Sequence, residues 1–481
     1  LFFFNQTTAY EMLRSLVGSE MCIRDRMGSA AGQPNYGIFE VVKGRNSYNV
    51  QSGRQSKNNV TVDIKGKILA FNYYESLYSP MATASFVEID TGGTVGSFKD
   101  DFAATFKDGL PVTGFEQVRV KVYSPGYTAV NWTKEDRRFV ITGSPFNIDE
   151  GTRQTAYFPM ISKNYMDAAS KPVKSIYPES KISDIVKKML DEAKLPYKKR
   201  NIEETENSMK LDGKNENVID TILKLCPQSV AVDGDPGFFF YENSEGFNFK
   251  SIHSMIVEGN ERLQDRRGYA SKATYVYKKG IVANLNEDGN DFNVLAPPTV
   301  RRDQDVLNAI KNGQYNVRVC TRNLATGEVK EEFVSIFNND KLVTLGSSEE
   351  ITINPDNDQT DSNNYCRTYM FELTPGATVD GVSQSTGNSP DKWLAKSIMR
   401  YSLLHAQLVN IIIPCNPNLT VGNCIRLNIE NITQDNKIQK EENDHRSGNY
   451  LIIHLCHAFT PTNSFTSLTL ARDEYGLNKK I

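Results

Sequence analysis

Apolar residues in this chain recur at every second position near both ends and at every third or fourth only in between, and this change of period constrains the fold most. In Val60-Thr61-Val62-Asp63-Ile64-Lys65-Gly66-Lys67-Ile68, the residues Val60, Val62, Ile64 and Ile68 take one face and Thr61, Asp63, Lys65 and Lys67 the other. That is the pattern of a half-buried antiparallel strand, because successive side chains of extended backbone point to opposite faces. Val118, Val120 and Val122 repeat it against Arg119 and Lys121, and Phe139-Val140-Ile141 follows. Turn signals at Gly92-Gly93, Asp108-Gly109 and Pro125-Gly126 separate the runs. Short strands at this spacing over about 36–165 predict a small barrel or sandwich.

The period lengthens after Lys171. Ile182, Ile185, Val186, Met189, Leu190 and Ala193 recur at helical spacing, with Pro196 just beyond. A second helix spans Asn217 to Cys226, carries Val218, Ile219, Ile222 and Leu223, and is closed by Pro227. Phe238-Phe239-Phe240 marks a buried strand. From about Val257 strands return, at Ala273 to Tyr277 and Asn316 to Arg322. The polar run 354–364 lacks the sixth-position Gly and closing Glu of an EF-hand and reads as a solvated loop. A third helix is expected from Ser389 as N-cap and Pro390 at N1, with Leu394, Ile398, Tyr401, His405 and Leu408 on one stripe. Ile425, Leu427 and Ile429 then alternate with Arg426, Asn428 and Glu430, and two β-segments, 450–459 and 465–472, finish the chain.

Composition narrows the class. With 55 Lys+Arg against 58 Asp+Glu the net charge is −3, which provides no strong field for wrapping nucleic acid. No apolar run approaches the ~18 residues that span a bilayer, so no membrane is expected as partner. Length alone fits about three domains. Leu1 to Arg26 follows no structural period; Leu16-Val17-Gly18-Ser19-Glu20-Met21-Cys22-Ile23-Arg24-Asp25 resembles one reading frame of a sequencing-library adaptor, and 1–26 is set aside as non-biological. Cys226, Cys320, Cys366, Cys415, Cys424 and Cys456 form no CxxC pair and read as buried thiols, with a Cys415–Cys424 disulfide not expected.

Residues that could carry chemistry do not converge. In His454-Leu455-Cys456-His457, His454 and Cys456 share a strand face while His457 points away, so the group cannot ligate one metal. His253, His405 and His445 stand in no ligand pattern. Phosphate-cradling, dinucleotide, zinc-protease and nucleophile-elbow motifs are all missing from the sequence. The expectation is no catalytic residue, no cofactor-binding residue, no metal ligand and no enzyme.

One resemblance carries function. Residues 447–476 resemble the closing hairpin of baseplate hub proteins from contractile-tailed, T-even-like bacteriophages, through Gly448, Tyr450, His457, Phe465, Leu468, Leu470, Arg472 and Asp473. Leu419 to Leu427 is similar to that family's preceding strand entry. Glu75-Ser76-Leu77-Tyr78 with Phe86-Val87-Glu88-Ile89-Asp90 resembles the second strand pair of its first barrel. The resemblance implies an α+β, mainly β fold with two small antiparallel β-barrels, an α-containing domain and an insertion. The expected divisions are 27–170 for the first, tube-like barrel, 171–255 for the α-containing domain, 256–280 plus 409–476 for a discontinuous second barrel, and 281–408 for an insertion ending in a helix. It further implies a homotrimeric ring joining a sixfold tail tube to a threefold central spike. Its partners are then the spike, the tube protein and other baseplate subunits, with no sequence-specific nucleic acid. Its place is the virion tail, after assembly in the host cytoplasm. Two other readings are a tail-associated cell-wall hydrolase with its site in 281–390, and the hub of a related bacterial injection device.

Overall fold

The computed structural model describes residues 34–43, 48–49, 54–55, 60–92, 95–96, 103–110, 112–124, 129–134, 137–143, 146–264, 273–278, 292–302, 305–324, 327–335, 343–345, 366–373, 378–379, 382–383, 393–430 and 446–473. The adaptor-like stretch 1–26, the polar run 354–364, the Ser389-Pro390 cap, Pro125-Gly126 and His445 lie outside the described residues.

The first β-region contains β1 (Asn35–Lys43), β2 (Val60–Asp63), β3 (Ile68–Ser76), β4 (Thr83–Asp90), β5 (Gln117–Tyr123), β6 (Val130–Trp132), β7 (Phe139–Ile141), β8 (Phe146–Glu150) and β9 (Arg153–Ser162). Val118, Val120 and Val122 are fully buried, as the alternation predicts, among Phe39, Phe71, Phe86, Trp132, Phe139 and Phe158. Each such side chain contributes roughly 1.5–3 kcal/mol by leaving water. Two details differ from the sequence reading. Val60 to Ile68 is not one strand: a 3-10 turn at Lys65–Lys67 splits it, although Ile64 and Ile68 still point inward. A turn centred on Gly66 conserves the inward parity of the residues on either side, so period alone could not reveal it. Asp108-Gly109 ends a short helix, Phe106–Gly109, instead of forming a reverse turn.

The middle holds α1 (Ile182–Glu192) and α2 (Val218–Leu225) on a small sheet with β10 (Phe238–Asn243) and β11 (Gly246–Ser251), followed by α3 (Ile252–Gln264). All six residues named for α1 are buried. The side chain of Asn217 accepts the Ile219 N–H at 2.8 Å and so satisfies one of the amides left open at the start of α2.

β12 (Thr274–Tyr277) and β13 (Thr299–Arg302) precede a three-stranded sheet of β14 (Asn316–Asn323), β15 (Val329–Ser335) and β16 (Arg367–Leu373), covered by α4 (Leu394–Leu403). The expected stripe on α4 is corrected. Ala395, Met399 and Leu403 pack on that sheet, while Ser397 and Arg400 are buried on another side, and His405 and Leu408 lie past the helix end. A helix wedged between two neighbours has no single apolar stripe to read.

The chain ends in β17 (Gln407–Pro414), β18 (Cys424–Ile429), β19 (Gly448–Phe459) and β20 (Ser464–Arg472). These strands do not stand apart from the first region. β19 pairs antiparallel with β3, Phe459 opposite Phe71, and one sheet of 15 strands runs β13-β17-β20-β19-β3-β4-β9-β7-β5-β1-β2, with β6, β8, β12 and β18 branching from it. The fold is mainly β with helices in the middle. The pairings among the described residues follow an open path.

Candidate functional site

The joint between the two β-regions creates one continuous sheet face, on which Ser85, Cys456 and Ala458 are themselves buried. Directly paired residues share a sheet face. Across β17, β20, β19, β3, β4 and β9, one row is Ile412, Ser467, Cys456, Tyr74, Thr83 and Ile161. The next is Pro414, Phe465, Ala458, Asn72, Ser85 and Pro159. Neither row holds a charged residue, and at ~4.8 Å per strand this wall extends about 24 Å. Its opposite face is core, with Phe71 and Phe86 stacked into the first region.

Behind the wall, two buried carboxylates tie the regions together. Glu75 on β3 accepts from the Tyr73 hydroxyl at 2.6 Å, the Val421 N–H at 2.9 Å and the Ser244 N–H at 3.3 Å. It thus holds one loop of the last β-region and the turn between β10 and β11. Glu242 on β10 reaches the other way, accepting from the Asn164 amide at 2.8 Å, the Ala82 N–H at 3.2 Å and the Ser162 hydroxyl. Arg137 donates to the carbonyls of Ser244 and Glu245. Burial pushes Glu75 up to about 7, against the hydrogen bonds from Tyr73, Val421 and Ser244, with Glu242 adding repulsion. Burial raises Glu242 to about 7 as well, against its own donors and the Arg137 charge.

A second buried joint explains the closing motif. Arg472 and Asp473 are both inaccessible. The Arg472 guanidinium lies 5.7 Å from the Tyr450 ring and donates to the Ser447 carbonyl at 3.2 Å. Asp473 accepts from Arg400 Nη1 at 3.2 Å and from the Leu345 N–H at 2.7 Å, and Arg400 Nε lies 3.3 Å from Asp235. The final Arg-Asp pair thus fastens the end of β20 to α4 and, through Asp235, to the middle region. Gly448 begins β19, Leu468 and Leu470 are core, and Phe465 sits on the uncharged face.

The four described histidines make contacts within the fold. His457 stacks on Tyr73 and contacts Thr466 Oγ1 at 2.8 Å, and burial depresses it to about 3. His454 falls to about 4, through burial first and then the Arg301 and His405 charges. His405 bonds the Tyr78 hydroxyl at 2.8 Å, and His253 lies 3.6 Å from Asp235. His454 and His457 diverge as the strand period requires. Among the described residues no group of three or more His, Cys, Asp or Glu could hold a metal ion. The six cysteines among the described residues are free, Cys415 and Cys424 included; four are buried as expected, but Cys320 and Cys366 are only partly so. A polar groove between β11, α3 and the 417–423 loop neutralises its own charges, through Arg200–Glu245, Lys250–Glu258 and Arg262–Glu258. Sequence reasoning passed over Glu242 and Arg400 and named Glu75 only as part of a resembling strand; burial of a charged residue on an otherwise regular strand or helix leaves no local signal.

Fold and site together define a mainly β chain whose buried polar groups act as joints between regions. Comparison with known proteins adds to this. The chain is similar to the probable baseplate hub protein gp334 of Vibrio phage KVP40, 22% identical over 388 residues, covering 78% of this chain and 85% of that protein. Two solved structures align with it over most of its length. The tail protein of Neisseria meningitidis MC58 matches with TM-score 0.46 and 8% identity over 90% of this chain and 97% of that one. The 43 kDa tail protein of prophage MuSo2 from Shewanella oneidensis matches with TM-score 0.46 and 8% identity over 92% and 100%. No family model matches.

Proposed function

We propose that the chain is the structural hub of a phage contractile-tail baseplate, in which three copies form a ring between the sixfold tail tube and the threefold central spike. The observation that carries this reading is the β19–β3 pairing, which fuses two β-regions side by side into one wall within one copy. A threefold ring of such copies presents six β-units, so it can meet a sixfold partner on one side and a threefold one on the other. The name of the KVP40 relative supports the same reading. Within it, each β-region serves as one barrel-like unit, 27–170 and 256–280 plus 409–476, with 171–255 as the α-containing domain and 281–408 as the insertion. The spike, the tube protein and other baseplate subunits are the partners, and the protein resides in the virion. The function is assembly and not catalysis, since the buried carboxylates serve as hydrogen-bond acceptors for the fold. Negative-stain imaging of the full chain purified with its co-encoded spike tests this: rings with the spike on their axis are expected. Separate particles, together with peptidoglycan clearing that a single acid or Cys substitution abolishes, would favour the hydrolase.

A further inference from the structure

We propose that the polar groove between β11, α3 and the 417–423 loop receives an extended, uncharged segment of another tail protein. This rests on the hub reading above and adds a binding site to it.

The groove follows from strand alternation. Phe247 and Phe249 of β11 point into the core of the middle region, with Phe238 and Phe240 of β10 and Ile202 of the adjoining strand Tyr197–Ile202. The opposite parity turns Asn248, Tyr241, Asn243 and Asn201 to the other face of the same small sheet. Asn248 stands directly across from Tyr241, and Asn201 precedes Ile202, the partner of Phe249. These residues line a cavity of about 690 Å³, a size that suits a ligand site.

One carboxylate holds the groove in shape. Glu75 accepts the Val421 N–H at 2.9 Å and the Ser244 N–H at 3.3 Å, so the 417–423 loop and the turn between β10 and β11 are fixed to the same group. The Gly422 N–H donates to the Ile452 carbonyl at 3.0 Å, and a Cβ at Gly422 would stand 2.5 Å from the Tyr241 hydroxyl. The loop therefore lies directly against the sheet. A site already held in shape loses little freedom when it is filled.

One side chain in this groove lacks what a ligand would provide. Asn201 is only 4% exposed, and its Nδ2 has no hydrogen-bond partner among the described residues. A buried donor left unmet costs about 1–3 kcal/mol, and a carbonyl is the group that meets it. The carboxamides of Asn243 and Asn248 each bond the fold through one atom, to the Glu245 N–H and the Gly246 carbonyl at 2.9 Å, which leaves the other atom of each.

Charge and shape select the occupant. Arg200, Lys250 and Arg262 in the lining face Glu245, Glu258 and Glu261, and five of the six are paired with one another. A charged ligand would have to break those pairs, so the occupant is uncharged and held by hydrogen bonds. A peptide unit offers a C=O and an N–H together, which matches a carboxamide. Sugar rings rest on open aromatic faces, and the aromatic ring among the described lining residues, Tyr241, is 3% exposed.

The test measures binding to the full chain of short capped peptides tiled over the tail proteins encoded with it, beside cellopentaose and chitopentaose. A few overlapping uncharged peptides should bind. Asn201→Leu should weaken them at least about fivefold without lowering the melting temperature of the free chain. Should that variant fail to fold by circular dichroism, Glu261→Trp, at an exposed position of α3 that lines the groove, should keep the fold and block the same peptides. Peptides that bind wild type and folded variants alike, binding confined to charged peptides, or binding of the oligosaccharides in their place overturns the site. A chain that forms the ring and binds no peptide overturns the groove alone, whereas one that binds its peptides and forms no ring overturns the hub reading alone.

Discussion

The two buried joints solve the same problem with different chemistry. At Asp473 a guanidinium stands beside the carboxyl, and Arg400 opposes the upward push of burial. At Glu75 and Glu242 no cation is in direct contact; neutral donors, joined at Glu242 by the more distant Arg137 charge, only partly offset burial, and both groups sit near 7. The difference teaches where each joint is vulnerable. The first fails when its partner is removed, the second when the pH changes.

The largest expected effect therefore comes from Arg400→Met, which leaves Asp473 buried without its counter-charge and should cost about 3–5 kcal/mol in chemical denaturation. Adding Asp473→Asn should recover most of that loss. A fully additive double variant would show that the pair does not act as a unit.

The second joint should respond to pH in the opposite sense from an ordinary salt bridge. An unfolded glutamate titrates near 4.5 and these folded ones near 7, so each binds its proton more tightly in the folded state. The stabilisation is full below about 4.5 and is lost as pH rises through about 7, on the order of 3 kcal/mol per carboxyl. Thermal melts from pH 5 to 9 should fall with rising pH, and Glu75→Gln with Glu242→Gln should flatten the slope. A slope unchanged in the double variant would remove these groups as its cause.

A smaller effect isolates the backbone strain at Phe115, which is 78% exposed and holds φ at +68°. Phe115→Gly should stabilise the single chain by about 1 kcal/mol, since glycine adopts a positive φ without penalty. A melting temperature lowered by this change would mean that Phe115 packs within its own chain.

How much of this was legible in the sequence depends on range. Val118, Val120, Val122 and the α1 face were read correctly because their periods are local and each is buried on one side. The α4 face was misread because Arg400 and Ser397 are buried opposite the apolar set, and Ser397 donates to the Pro227 carbonyl at 2.9 Å. The motif residues Tyr450, Arg472 and Asp473 were visible by resemblance, but their partners Arg400 and Leu345 are far away in sequence. The wall was illegible for the same reason: Phe459 meets Phe71 across almost the whole chain, and no local pattern encodes that register.

The central claim is that three copies make one ring. Native mass spectrometry of the full chain at rising concentration, alone and with its spike, tests it most directly. The account predicts a species of three times the 54.1 kDa chain, retained in complex with the spike. A chain that remains a monomer in both samples, or closes as a dimer, would contradict it.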